Sequence, residues 1–139
     1  MKAAIIREYG AVEKIEVADV PAPEPAVGEA VVRVRAAALN HLDIWVRKGS
    51  KGGGLDHPLI LGSDAAGVVS EVGEGVGNVK PGDEVILNPG LSCGQCEFCR
   101  RGEQSTCPDF GLVGLSRPGT FAEMVAVPAG NLAAKPQHL

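Results

Sequence analysis

No stretch of this chain approaches the ~20 consecutive apolar residues that a membrane-spanning helix needs. Nor is there an excess of basic charge: 13 Lys and Arg stand against 17 Asp and Glu, for a net charge of -4. That balance leaves no electrostatic footprint for nucleic acid or an anionic membrane. An apolar secretory segment is lacking too, so the expected compartment is the cytoplasm, where thiols stay reduced and disulfides are disfavoured. The glycine-rich run Ser50-Lys51-Gly52-Gly53-Gly54 lacks the Gly-Lys-Ser/Thr ending of a phosphate-binding loop and reads as a mobile loop. A second run, Gly73-Glu74-Gly75-Val76-Gly77-Asn78, carries Asn where a dinucleotide fingerprint needs its last glycine. No helical pattern follows it, which excludes it as a nucleotide site. Asp109-Phe110-Gly111 copies a kinase tripeptide without a kinase's other parts.

Cysteine is scarce, and its placement is the main positive signal. All 4 cysteines of the 139 residues lie between Cys93 and Cys107. Short C-x-x-C steps let thiolates converge on one ion, and four thiolates fill a tetrahedral zinc shell with no position left for substrate. Cys93, Cys96, Cys99 and Cys107 are therefore expected to hold one structural zinc per chain. An iron–sulfur cluster is the competing reading, because the first steps and Pro108 match the bacterial ferredoxin spacing, but the seven-residue last gap breaks that pattern. In small sites of this type the metal contributes on the order of 10 kcal/mol to folding.

With 45% hydrophobic residues the chain is rich enough in apolar side chains for one domain with its own core. Its 19 glycines and 10 prolines punctuate the sequence often, which favours short strands joined by turns and a mainly β class. Residues 2–6 and 15–17 read as an N-terminal hairpin. Pro21-Ala22-Pro23-Glu24-Pro25 reads as an extended connector. Over 30–38, Val32, Val34 and Ala36 alternate with Arg33 and Arg35, the pattern of a strand with one buried face. Further strands are expected at 84–87 and, as the last of the chain, at 121–127.

Residues 40–49 carry the one helical pattern, with Leu42, Trp45 and Val46 on a shared face and Gly49 as the C-terminal cap. Asn40 and Asp43 have the spacing of a capping box, a structural role that needs no catalysis. The apolar segment from Leu59 is interrupted by Gly62-Ser63-Asp64, as the wall of a site would be.

The pattern Gly62-x4-Gly67-x5-Gly73-x2-Val76-x5-Gly82-Asp83-x-Val85 resembles the signature of the medium-chain, zinc-type alcohol dehydrogenases. The cysteine lobe, at about 89–111, resembles their structural zinc lobe, and the two occur in the same order. The resemblance covers essentially the whole chain. It implies that residues 1–139 are a GroES-like β-barrel catalytic domain with a four-cysteine zinc lobe. It further implies a following Rossmann domain that binds NAD(P)(H) and is missing here, which would make the chain a fragment.

The departures from that family fall at its catalytic positions. Its enzymes have Cys at the position of Asn40 and a His-Glu pair at Ser63-Asp64. A proton-relaying hydroxyl falls at Leu42, and a relay histidine at Trp45. Amide and hydroxyl groups are poor zinc ligands beside thiolate and imidazole. The same positions resemble the zinc-independent quinone oxidoreductases, which share Asn at Asn40, Asp at Asp43, an aromatic at Trp45, and Gly-Ser-Asp at 62–64.

The resemblance thus implies an NAD(P)H-dependent oxidoreductase that reduces quinones or enone-type double bonds without catalytic zinc. Asn40, Asp43, Ser63 and Asp64 would form the catalytic pocket, His41 would contact the cofactor pyrophosphate, and Trp45 would wall the nicotinamide or substrate ring. An alternative keeps alcohol oxidation, with a metal held by Asp64, either His41 or His57, and a further ligand outside these 139 residues. A third reading is a zinc-stapled assembly module with no chemistry of its own. The expected partner is a small carbonyl, quinone or alcohol, with neither nucleic acid nor membrane, and the parent protein is expected to be a homo-oligomer. The 139 residues alone are expected to be inactive.

Overall fold

The computed structural model describes residues 1–49, 55 and 58–138. Ser50–Gly54 and His57, for which a loop and a metal ligand were considered, lie outside the described residues. Strands dominate, as the composition predicts. They run β1 (Lys2–Ile6), β2 (Glu16–Asp19), β3 (Glu29–Ala38), β4 (Leu59–Ile60), β5 (Asp64–Val72), β6 (Glu84–Leu87), β7 (Gly90–Leu91), β8 (Gly111–Leu112), β9 (Met124–Pro128) and β10 (Leu132–Ala134). Two short α-helices, α1 (His41–Lys48) and α2 (Glu97–Arg100), interrupt them. No helix among the described residues is long and apolar enough to cross a membrane.

The strands pair antiparallel in a five-stranded sheet of order β10-β6-β5-β3-β9, a three-stranded sheet β2-β1-β4, and a two-stranded ribbon β7-β8. These ladders do not close into one hydrogen-bonded barrel among the described residues. The N-terminal hairpin forms as expected, with Lys2 opposite Asp19. Strand β3 is central because it pairs β5 on one edge and β9 on the other. Its alternation holds only in part. Register shifts against β5 at Val31/Val32 and Val34/Ala36 bury Ala30, Val31 and Val32 in succession, since each irregularity restarts the two-residue period.

β-Branched residues fill the main core: Val32, Val69, Val85, Val113, Val125 and Val127 pack with Leu132. Their stiff, branched side chains suit a pleated surface. A second cluster of Ile6, Val46, Leu59 and Leu61, flanked by Tyr9, Leu42 and Phe121, fastens α1 to the small sheet.

The expected last strand at 121–127 is shifted. Residues 119–123 cross to the small sheet, where Phe121 N–H donates to Leu61 O at 2.9 Å and Ala4 N–H donates to Phe121 O at 2.7 Å. Only from Met124 does the chain join β3, and β10 follows at the far edge of the sheet. These contacts span 60 and 117 residues, so local propensity carries no sign of them.

Candidate functional site

Asn40 ends β3's extended course in β conformation (φ -120°, ψ 157°) and α1 begins at the next residue. Its backbone N–H donates to Asp43 Oδ2 at 2.7 Å, the return arm of the expected capping box. Asp43 does more than cap. It is 8% exposed, and its Oδ1 accepts the backbone N–H of Gly62 at 3.2 Å. One carboxylate therefore ties the start of α1 to the segment that carries Ser63 and Asp64. An ionised carboxylate only accepts, and two converging backbone donors compensate its burial.

Gly62 has φ +93°, a backbone conformation that disfavours side chains, and a Cβ there would lie 2.5 Å from the Phe121 ring and 2.7 Å from Thr120 Oγ1. Glycine allows this turn and the close passage of residues 119–121 behind it. Ser63, 4% exposed, donates its hydroxyl to Val113 O at 2.8 Å. Thr120, 1% exposed, donates to the backbone O of Asp64 at 3.0 Å. The Asp64 carboxylate in turn accepts from Asn40 Nδ2 at 2.8 Å. Asn40, Asp43, Ser63 and Asp64 thus lie together in one stretch of the fold. Thr120 and Val113 complete the frame and were not foreseen, because they meet these residues across 50 or more positions.

Asn40, Ser63 and Asp64 open on a cleft of about 350 Å³, with His41 and Leu42 on the helix side. Pro89 and Leu112 close the other side. Leu112 belongs to the β7-β8 ribbon, so the base of the cysteine lobe is one wall of the cleft. Trp45 departs from expectation. It is 63% exposed and leaves the apolar face of α1 to Leu42, Asp43 and Val46. Its ring instead lies 4.8 Å from that of exposed His41, tilted at 48°. The i to i+4 spacing stacks the two on the outer side of the helix.

The four thiols converge as the spacing requires. All four Sγ atoms lie within 4.8 Å of one another, with Cys93 at 4.0 Å from Cys99 and 3.6 Å from Cys107. A tetrahedral zinc with Zn–S near 2.3 Å needs sulfurs about 3.8 Å apart, so the cage fits the ion. Backbone N–H groups of Gln95 and then Cys96 draw the Cys93 thiol down to about 7, against a smaller opposing effect of burial, which favours the thiolate that binds metal. Cys96 N–H points at Cys93 Sγ at 3.4 Å, and Cys99 N–H at Cys96 Sγ at 3.5 Å.

The cleft has no matching set. Among the described residues, the four cysteines are the only group of three or more His, Cys, Asp or Glu side chains placed to share an ion. His41 and Asp64 are not joined by a third such ligand among the described residues, and the amide of Asn40 and the hydroxyl of Ser63, each already held in a hydrogen bond, are poor zinc ligands. The described residues of the cleft do not fit a catalytic zinc. The glycine run 73–77 likewise follows β5 in a turn without a helix after it, so it forms no dinucleotide cradle.

Comparison with known proteins gives a consistent family. The profile of the alcohol dehydrogenase GroES-like domain matches residues 26–137. The chain is 32% identical to an L-threonine 3-dehydrogenase of Pyrococcus furiosus over 95% of its length and 37% of that protein's. It is 34% identical to an NAD-dependent alcohol dehydrogenase of Sulfurisphaera tokodaii, covering 92% of this chain and 38% of the relative. A solved structure of an NAD-dependent alcohol dehydrogenase superposes with a TM-score of 0.95 at 53% identity, covering 100% of this chain and 40% of that one. The chain spans about two fifths of the length of each of these three proteins.

Proposed function

The chain belongs to the alcohol dehydrogenase GroES-like domain family, the N-terminal catalytic domain of the zinc-type medium-chain dehydrogenase/reductases, and from that premise we propose that the full-length protein is an NAD-dependent oxidoreductase interconverting an alcohol and its carbonyl compound. The observation that carries this reading is the 53% identity, over 100% of this chain, to a solved NAD-dependent alcohol dehydrogenase. It supports alcohol chemistry over the quinone reduction expected from the pocket residues. A dinucleotide-binding Rossmann domain would follow residue 139 and supply most of the contacts to NAD. His41 would reach its pyrophosphate from the exposed side of α1, and Trp45 would bear on the nicotinamide side. Cys93, Cys96, Cys99 and Cys107 would hold one structural zinc. The cytoplasm and a homo-oligomeric assembly are part of the same proposal.

Each pocket residue has a role set by its contacts. Asp64 and Asn40 present a carboxylate and an amide to the cleft, while Ser63 and Asp43 hold the two segments in register. Leu42, Pro89 and Leu112 supply the apolar wall that admits a small organic substrate. The test is a panel of primary and secondary alcohols with NAD and NADP, assayed on the full-length protein. Turnover with NAD and saturation by at least one alcohol is the expected result. Activity confined to quinones or enones would overturn it.

That reductive chemistry is the second reading, and the Asn40–Asp64 hydrogen bond at 2.8 Å favours it. Hydride addition to a conjugated acceptor places charge on an oxygen that a hydrogen-bond donor stabilises, with little call for a Lewis acid. On this reading NADPH reduces a quinone faster than NAD oxidises any alcohol. Under either reading, Asn40→Ala should cut turnover more than stability, measured as kcat beside a urea midpoint; equal activity would remove Asn40 from the mechanism.

A further inference from the structure

Resting on the alcohol–carbonyl reading above, we infer that the Asp64 carboxylate is the group that takes the substrate's hydroxyl proton, in a cleft that binds no metal of its own. The inference starts from what each cleft group is already doing. Ser63 has spent its hydroxyl proton on Val113 O and is 4% exposed. Asn40 gives one of its amide N–H groups to Asp64, and an amide is no proton acceptor at working pH. Leu42, Pro89 and Leu112 have no polar side-chain atom to offer.

Among the described residues, two titratable side chains remain on the cleft, Asp64 and His41. They differ in how firmly they are held. His41 is exposed and packs its ring against exposed Trp45. Asp64 is half-buried at the first position of β5, with its backbone O fixed by Thr120 and one carboxylate oxygen fixed by Asn40. A carboxylate has about four lone-pair sites, so oxygen capacity remains for a substrate hydroxyl. The donor fixing it is neutral, so it orients the base without neutralising it. Among the described residues, the other titratable groups around it are His41 and the buried Asp43, both on α1; Pro89 and β8 contribute none.

The step balances as follows. The substrate O–H bond breaks and its proton goes to Asp64. The C–H electron pair leaves with its hydrogen as hydride to an oxidised nicotinamide dinucleotide, entering as co-substrate. A C=O bond forms, and Asp64 returns the proton to solvent through the open mouth of the cleft. Such general-base assistance is typically worth 10²–10⁴ in rate.

The full-length protein tests this through turnover, the acid side of the pH–rate profile, and zinc counted by elemental mass spectrometry. We expect Asp64→Asn to lower kcat at least ~100-fold and to abolish the fall in rate on the acid side. Dinucleotide affinity and one zinc per chain should be unchanged, and added formate should partly rescue Asp64→Ala. His41→Gln, at an exposed position, keeps the test decisive if the Asp64 variants fold poorly: the acid-side fall should persist in it, whatever happens to dinucleotide affinity. Loss of that fall in His41→Gln, or its retention in folded Asp64→Asn, overturns the role of Asp64 while leaving alcohol oxidation intact. A second zinc that departs with Asp64→Asn also overturns it, by making Asp64 a metal ligand. Wild-type protein that oxidises no alcohol overturns the functional reading itself, and this inference with it.

Discussion

Asp43 shows how one side chain can serve structure and site together. Its two oxygens accept N–H groups from the start of α1 and from Gly62, so removing them leaves two donors without partners beside the second core. Asp43→Ala should destabilise the domain by roughly 2–4 kcal/mol, read from urea unfolding, with Asp43→Asn costing less because one acceptor survives. Gly67 makes a similar point through space alone. A Cβ there would lie 2.2 Å from Arg33 O in the β3-β5 ladder, and backbone cannot yield as a flexible side chain can. Gly67→Ala should cost more than about 3 kcal/mol, whereas Gly75→Ala, with nothing within 4 Å but φ +81°, should cost about 1 kcal/mol.

Among the elements, the cysteine lobe matters to the site in a way its spacing did not indicate. The sequence reading separates the zinc staple from the chemistry. In the fold, the ribbon at the base of the lobe delivers Leu112, and Pro89 before β7, to the cleft. The staple therefore shapes the apolar wall without touching the reacting atoms. Stripping zinc, or making Cys107→Ser, should raise KM for the alcohol several-fold before the β core melts. Amide exchange should accelerate over 93–107 first and over β3 last, because β3 is paired on both edges. Equal exchange in the two regions would show that the lobe and the sheet unfold as one unit. Helix α1 is held by less: of its apolar residues Val46 is buried and Leu42 half-buried, so Val46→Ala should loosen the Asn40 end with a loss of about 1–3 kcal/mol.

At the level of the whole molecule, a valine-rich core fills the five-stranded sheet, and the separate cage of four cysteines would add a second source of stability when it holds zinc. The 139-residue chain should unfold cooperatively, with a midpoint that rises on adding zinc and falls with a chelator, as a ligand bound only to the folded state requires. It should not bind NADPH tightly, since the described residues form no dinucleotide cradle; a micromolar dissociation constant by calorimetry would contradict this.

The sequence by itself determined the mainly-β class, the N-terminal hairpin, α1 with its capping residues, the convergence of four cysteines, and the family. All but the family are written in short-range spacing: alternation of two, a cap three residues away, C-x-x-C steps; the family comes from the resemblance of the glycine pattern and the cysteine lobe taken together. Tertiary structure alone decided that Trp45 faces outward, because Asp43 is drawn inward by Gly62 and takes the buried place on the helix. It also decided that residues 119–123 brace the site from the small sheet and that the zinc lobe walls the cleft. Those facts depend on hydrogen bonds and packing between segments 19 residues apart (Asp43 and Gly62) to 117 residues apart (Ala4 and Phe121), whose partners no local pattern names.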